Sequence, residues 1–340
     1  MHKKLVIVLF YVMVILVQVT TLAQKQASFK QLDVYGDSLQ FEMDSSFLIN
    51  FPPIISEGSV KYFYEKLNQS HYHSVINALT TFKEQHHPDD WLFYQLVRKV
   101  VQQVSPKAEN YYRYTLYKLF ILAKCGYEVM LSTSGNYLLF YVQSDENIYN
   151  IPSRMKDGKQ FVCLNFHDYK NIDFQNNKFT EIPLNISKSS KGFSYKVTRL
   201  PDFKSSDYIE KEIQFNYYQN KYHFKVKLNP EIQLLFTNYP VVDYSTYLNI
   251  PLSNETYKSL IPVLKKGLKG LSEKNGMDYL MRFTRNAFSY IPDSKNFGGE
   301  KRLTAEQTLY YNQSDCEDRV GLFFYLVKEI YNVPMIVLTY

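Results

Sequence analysis

The hydrophobic period changes twice along this 340-residue chain, and that change limits the fold more than any other feature. Between Gly58 and Val104 apolar residues recur at threes and fours: Tyr62, Phe63, Leu67, Val75, Leu79 and Phe82, then Trp91, Leu92, Leu96, Val97 and Val100. This spacing predicts amphipathic helices. Pro88-Asp89-Asp90 supplies a start between the two runs, with proline near the N-terminus and acids in the first turn. A further helix is predicted from Tyr111 to Lys124, ended by Gly126. From Tyr127 the period falls to two, which predicts strands over 127–132, 137–143 and 160–165, punctuated by Gly, Asn and Asp as in hairpins.

Between about Asp173 and Ile250 no helical period remains. Short alternating runs, Phe193–Val197, Ile213–Tyr218 and Tyr222–Val226, predict an antiparallel unit with a tight turn at Gln219-Asn220. Helical spacing returns after Pro251: one run opens at Asn254 and extends to about Lys274, another from Gly276 to about Phe288. Residues 289–304 carry Pro292, Gly298 and Gly299 and read as an exposed loop. An apolar helix from Ser314 to Tyr331 and an apolar strand from Pro334 to Leu338 follow. The fold class expected is therefore α+β, in three units: 24–172 with helices and strands, 173–250 antiparallel β, and 251–340 α+β.

The first residues have a different character. Lys3 and Lys4 precede thirteen unbroken apolar residues, Leu5 to Val17, and Thr21-Leu22-Ala23 offers a small-residue cleavage site. Thirteen residues are short for the roughly 30 Å of a bilayer core. The expectation is a cleaved signal over 1–23 and an exported, periplasmic or secreted chain with no stable membrane insertion afterwards. Cleavage would take the formal charge from +6 to +4, since two lysines and no acid leave. That is too mild, and too evenly spread, to imply a nucleic-acid partner. Three cysteines, Cys125, Cys163 and Cys316, leave at least one unpaired unless it bridges two chains.

Cys316 carries the chemical interest. It sits in Ser314-Asp315-Cys316-Glu317-Asp318-Arg319, directly ahead of the apolar helix. Ser314 with Glu317 three residues later fits a capping box, which places the cysteine at the second helical position. Unpaired N–H groups and the positive end of the helix dipole favour thiolate there. Asp315, Glu317 and Asp318 oppose that effect, and Arg319 offsets one of them. A lone cysteine beside an apolar helix is otherwise a small buried hydrophobe.

The Ser-Asp-Cys-Glu-Asp-Arg segment, the helix after it and the stretch Asn332-Val333-Pro334-Met335-Ile336-Val337-Leu338 resemble the nucleophile region of the transglutaminase-like superfamily. More narrowly, the chain resembles bacterial envelope proteins carrying such a domain, back through Asp89-Asp90-Trp91-Leu92, Arg113–Lys118 and Gly126-Tyr127. The resemblance implies a papain-like α+β domain, acyl transfer or amide hydrolysis on a protein or peptide substrate, and Cys316 as nucleophile. It also implies a histidine and an aspartate on strands after the cysteine helix. The sequence given stops at Tyr340 before any such stretch, so an incomplete domain, inactive in this form, is expected.

Upstream substitutes are weak. His167-Asp168 is the best pair, yet neighbours on a strand would point to opposite faces. His86-His87 ahead of Pro88 reads as a solvated turn. No metal or cofactor motif is present, and Asp315, Glu317 and Asp318 are too few and too local for a Ca²⁺ site. Setting Arg113 over Arg319 aligns two helix–strand units and puts Asn110 at the place of Cys316, so the first half reads as a possible degenerate copy. The competing expectation is a non-catalytic envelope protein whose Tyr-rich surfaces bind peptide or glycan.

Overall fold

The computed structural model describes residues 28–169, 172–186, 190–297 and 301–338. The expected signal segment lies outside them. The described residues open with a hairpin, β1 (Ser28–Val34) and β2 (Asp37–Met43), turned at Tyr35-Gly36. Gly36 has φ +101°, and a Cβ there would meet Asp202 O at 2.9 Å, so glycine is required twice over.

Four helices follow: α1 (Glu57–Gln69), α2 (His73–His86), α3 (Asp90–Val104) and α4 (Tyr111–Lys124). The run read as continuous before Pro88 is broken at Ser70, whose hydroxyl and N–H both donate to the Leu67 carbonyl and end α1. Tyr62, counted as inward by its spacing, is exposed. Helix α4 begins where expected because the Asn110 side chain accepts the Arg113 N–H at 2.9 Å. Every residue from Tyr114 to Ala123 is buried, so α4 is a central helix rather than an amphipathic surface one.

An antiparallel sheet lies beside α4, in the order β5-β6-β4-β3-β7: β3 (Val129–Ser134), β4 (Tyr137–Gln143), β5 (Ser153–Lys156), β6 (Lys159–Cys163) and β7 (Thr180–Glu181). Alternation on β4 divides its side chains. Leu138, Phe140 and Val142 join the core around α4, while Leu139 and Tyr141 join a small cluster with Met130, Phe161 and Cys163.

Residues 173–250 are distributed between two cores. Strand β7 belongs to the first sheet. Phe193, Tyr195 and Val197 alternate inward along an extended strap outside the named strands, Phe193 and Tyr195 against Tyr94 and Trp91 of α3 and Phe193 also against Tyr127. The hairpin of β8 (Ile209–Tyr217) and β9 (Asn220–Leu228) turns at Tyr218-Gln219, one residue before the expected place, with Tyr218 at φ +51°. Short helices α5 (Glu231–Phe236) and α6 (Tyr244–Tyr247) return to the first core.

The second core joins that hairpin to the helices after Pro251: α7 (Asn254–Gly267) and α8 (Glu273–Asn286). Helix α7 stops seven residues before the expected end, ahead of Gly270 at φ +85°, and α8 starts earlier because Ser272 caps it. Phe215 packs edge-on against Tyr279 and Phe283, with ring centres 5.1 and 5.2 Å away. The region read as a loop holds β10 (Ser289–Tyr290) and α9 (Asp293–Asn296). Then come α10 (Ala305–Tyr310), which the periodicity missed, β11 (Gln313–Ser314), parallel to β10, and α11 (Cys316–Tyr331).

Helix α11 ties the two cores together. Leu322, Leu326 and Val327 enter the second, while Phe324 packs on the first. Gly321 lets the buried Tyr247 ring lie against the helix, its hydroxyl donating to the Leu303 carbonyl at 2.5 Å. A Cβ at 321 would stand 3.0 and 3.1 Å from two ring carbons of Tyr247. Gly321→Ala is therefore expected to destabilise by about 1–2 kcal/mol despite alanine's better helix propensity, read as a lower urea midpoint. A gain in stability would show that Tyr247 moves freely.

Candidate functional site

Cys316 is exposed and is the first residue of α11. The capping box is real but sits one residue later than Ser314 and Glu317 would place it. Asp315 is the N-cap: its carboxylate accepts the Asp318 N–H at 3.0 Å, and the Asp318 carboxylate accepts the Asp315 N–H at 3.3 Å. Ser314 is unavailable because it belongs to β11, where its carbonyl takes the Ile291 N–H and its hydroxyl takes Arg319 Nε at 3.1 Å. Glu317 instead pairs with Arg302 at 3.0 Å.

The approach to the cysteine is fixed from both sides. Lys211, on β8, donates to the carbonyls of Leu309, Tyr310 and Tyr311 at 2.8–2.9 Å, closing the end of α10. Arg319 donates to the Phe288 carbonyl at 2.8 Å and lies over the Tyr290 ring. Its charge is thus spent holding β10 and β11 in place, rather than offsetting a carboxylate as first expected.

Asp318 is fully buried and accepts the Leu303 N–H at 2.8 Å. Burial, with Asp315 and Asp293 nearby, pushes its carboxyl up to about 8, so it holds a proton at neutral pH. Carboxylate oxygens of Asp293, Asp315 and Asp318 come within 4.8 Å of one another. Sequence spacing could not anticipate Asp293, which arrives from α9. Backbone amides already occupy this group: Lys301 N–H on Asp293 at 2.8 Å, Leu303 N–H on Asp318 and Asp318 N–H on Asp315. It serves to tie loops together.

A general base beside the thiol would ordinarily be histidine. The described histidines are engaged elsewhere. His71 faces Asp44, His86 faces Asp37, His223 pairs with Glu212 and His73 stacks on Tyr72. His87 caps α2 at φ +45°.

The His167-Asp168 pair differs from its sequence reading. Strand β6 ends at Cys163, and the two residues sit in a 3-10 turn, Phe166–Asp168, where His167 Nε2 lies 3.2 Å from Asp168 Oδ1. They do form an orienting pair. Burial lowers the His167 pKa. Burial also works against the Asp168 carboxylate, but the His167 hydrogen bond and the charges of His167 and Lys118 outweigh it and hold the carboxyl well below its ordinary range. His167 borders a cleft of about 410 Å³ with Cys163, Trp91, Tyr195, Tyr239 and Phe297. Cys163 and Cys125 are both free thiols, and burial pushes each up to about 12.

The proposed register of the two halves shifts by one at the caps. Asn110 is the N-cap of α4, so it matches Asp315, and Tyr111 takes the place of Cys316. The Tyr111 hydroxyl accepts from Asn165 Nδ2 at 2.7 Å and donates to Asp168 Oδ2 at 2.9 Å. Past α11 the chain turns at Asn332, φ +51°, and residues 333–338 run outside the named strands with Ile336 and Leu338 exposed. Among the described residues no helix is long and apolar enough to cross a membrane. Comparison with protein-family models, with curated proteins and with solved structures gives no match to this chain.

Proposed function

We propose that this chain is an exported protein of the transglutaminase-like type in which Cys316 is the thiol nucleophile of an acyl-transfer site. One observation carries the reading: an exposed thiol on the first residue of a sixteen-residue helix whose start is fixed by the Asp315 cap and by Arg319. Its sulfur attacks an ester, amide or peptide carbonyl, the carbon–sulfur bond forms, and the leaving alcohol or amine takes the proton. First-turn N–H groups of α11, which have no intrahelical acceptor, are the donors for the developing oxyanion; that of Asp318 is already taken by Asp315.

The geometry around Tyr111 supports a site completed from a sheet. There, polar side chains that follow β6 reach the first residue of a helix, as a histidine and an aspartate would reach Cys316. In this reading the strands carrying that pair align with residues 333–338. Export follows from Lys3, Lys4 and the apolar run Leu5 to Val17, which lie outside the described residues.

With p-nitrophenyl acetate the chain is expected to release a burst of nitrophenolate as the thiol is acylated, and the acetyl group should map to Cys316. Cys125 and Cys163 stay silent because they are shielded and protonated. A Cys316→Ala variant should lose the burst. Acetyl groups scattered over surface nucleophiles, unchanged in that variant, would overturn the reading. They would favour instead a non-catalytic protein binding peptide or glycan, for which the 410 Å³ cleft, with Tyr239 and Phe297 as its accessible aromatics, provides the surface.

A further inference from the structure

A second chemical centre lies more than two hundred residues upstream, where α2 ends and α3 begins. Lys83 is on the last turn of α2, and its ammonium lies over the rings of Phe93 and Tyr127, 4.4 and 4.5 Å from their centres. Lys191, from the extended strap, also lies 4.5 Å from the centre of the same tyrosine ring. One carboxylate oxygen serves both: Asp90 Oδ1 is 3.5 Å from Lys83 Nζ and 2.7 Å from Lys191 Nζ. The Tyr127 hydroxyl donates to that same oxygen at 2.5 Å and takes hydrogen bonds from both lysines. Asp90 Oδ2 is occupied by the Ser194 N–H at 3.1 Å. Two cations therefore share one anion.

This arrangement is open to small molecules. Lys83, Lys191, Asp90, Thr80, His87 and Ser194 line a cleft of about 520 Å³, and the Lys83 side chain keeps 23% of its exposure. A lysine partly desolvated on aromatic faces and set beside a second ammonium is the environment that makes an amine nucleophilic near neutral pH.

We propose that Lys83 is a reactive amine that condenses with small aldehydes or ketones entering this cleft. The neutral Nζ adds to the carbonyl carbon while the carbonyl oxygen takes a proton from Lys191 or Tyr127. The carbinolamine then loses that oxygen as water and leaves an imine on Lys83. Amine and carbonyl become imine and water, with no net oxidation.

Burial first, and Lys191 second, bring the Lys83 ammonium down to about 8 against the pull of Asp90. At pH 7 roughly a tenth of it is neutral, compared with roughly one part in three thousand of an ordinary lysine. The other titratable groups around it are few. Glu84 and His87 come from its own end of the helix. Asp89 also borders the cleft, but its carboxylate is engaged by the N–H groups of Thr198 and Arg199. Cys125, beyond α4, is protonated.

The test treats the full chain with propanal and cyanoborohydride across pH 6–10 and maps the alkylated lysines by mass spectrometry. At pH 7 Lys83 should be modified at least tenfold faster than exposed lysines such as Lys225 and Lys258. Its labelling profile should show a midpoint near 8 in the wild type and move upward in Lys191→Met. A Lys83 rate equal to that of the exposed lysines, or a midpoint above 10 in the wild type, would overturn the proposal and leave a structural cluster only. The wild-type profile stands by itself if the variant fails to fold.

Discussion

Replacing Lys118 with methionine is expected to stabilise the fold by on the order of 3 kcal/mol at pH 6 and by less than about 1 kcal/mol at pH 10. Lys118 lies in the middle of α4 with 1% of its surface exposed, near the rings of Tyr114 and Tyr94, and its amine has the Tyr94 hydroxyl at 3.4 Å. Burial lowers its pKa from 10.5 to about 7. Below pH 7 both folded and unfolded chains carry the charge, and the folded state bears the whole cost of desolvating it. Between pH 7 and 10.5 the unfolded chain holds the proton that the folded chain has lost, so stability climbs with pH as the cost is relieved. Methionine fits the same unbranched channel without any charge. Urea midpoints of both proteins at the two pH values measure the difference. Equal gains at pH 6 and pH 10 would mean that the amine is neutral or hydrated throughout.

The second large effect has the opposite slope. Asp318 is raised from 3.8 to about 8, so across that window the folded chain keeps a proton that the unfolded chain has released. Stability therefore falls as pH rises from about 4, and the loss is complete above about 8. In Asp318→Asn this dependence disappears. Asparagine still offers one oxygen to the Leu303 N–H, and the weakened capping box costs about 1 kcal/mol at every pH. Relative to wild type, the variant should gain on the order of 2–3 kcal/mol between pH 5 and pH 8.5. Taking the difference between the two proteins cancels the groups they share, Lys118 among them. Parallel stability curves would show that Asp318 is ionised in the fold.

Local patterns led furthest where one helix or strand contains its own reasons. Tyr111–Lys124 forms from end to end as expected, because its cap, its apolar run and the glycine beyond it are all nearby in sequence. Lys118 was not singled out there, although it is the one charge between Tyr114 and Ala123. The capping residue at Cys316 was not. Ser314 to Glu317 and Asp315 to Asp318 both satisfy the capping pattern, and the pairing of β11 with β10 decides between them. Alternation at Phe193, Tyr195 and Val197 reported an extended backbone with one buried side, which a strap outside the strands also has. His167 and Asp168 were misread for a related reason. Asn165 takes the Phe140 N–H and gives to the Leu138 carbonyl, which turns the chain out of β6. The meeting of Lys83, Asp90, Tyr127 and Lys191 spans more than a hundred residues and leaves no local trace.

The chain's only tryptophan sits wholly on one side of the two-core arrangement. Trp91 is 2% exposed, its indole N–H bonded to the Leu235 carbonyl and its ring against Tyr239 and Tyr195. Its fluorescence emission therefore follows the body built on α3 and α4, whereas far-ultraviolet ellipticity weighs the helices of both. Melting curves from the two signals coincide only when α11 and Tyr247 bind the bodies into one cooperative unit. Any gap between the curves measures how loosely that joint is held.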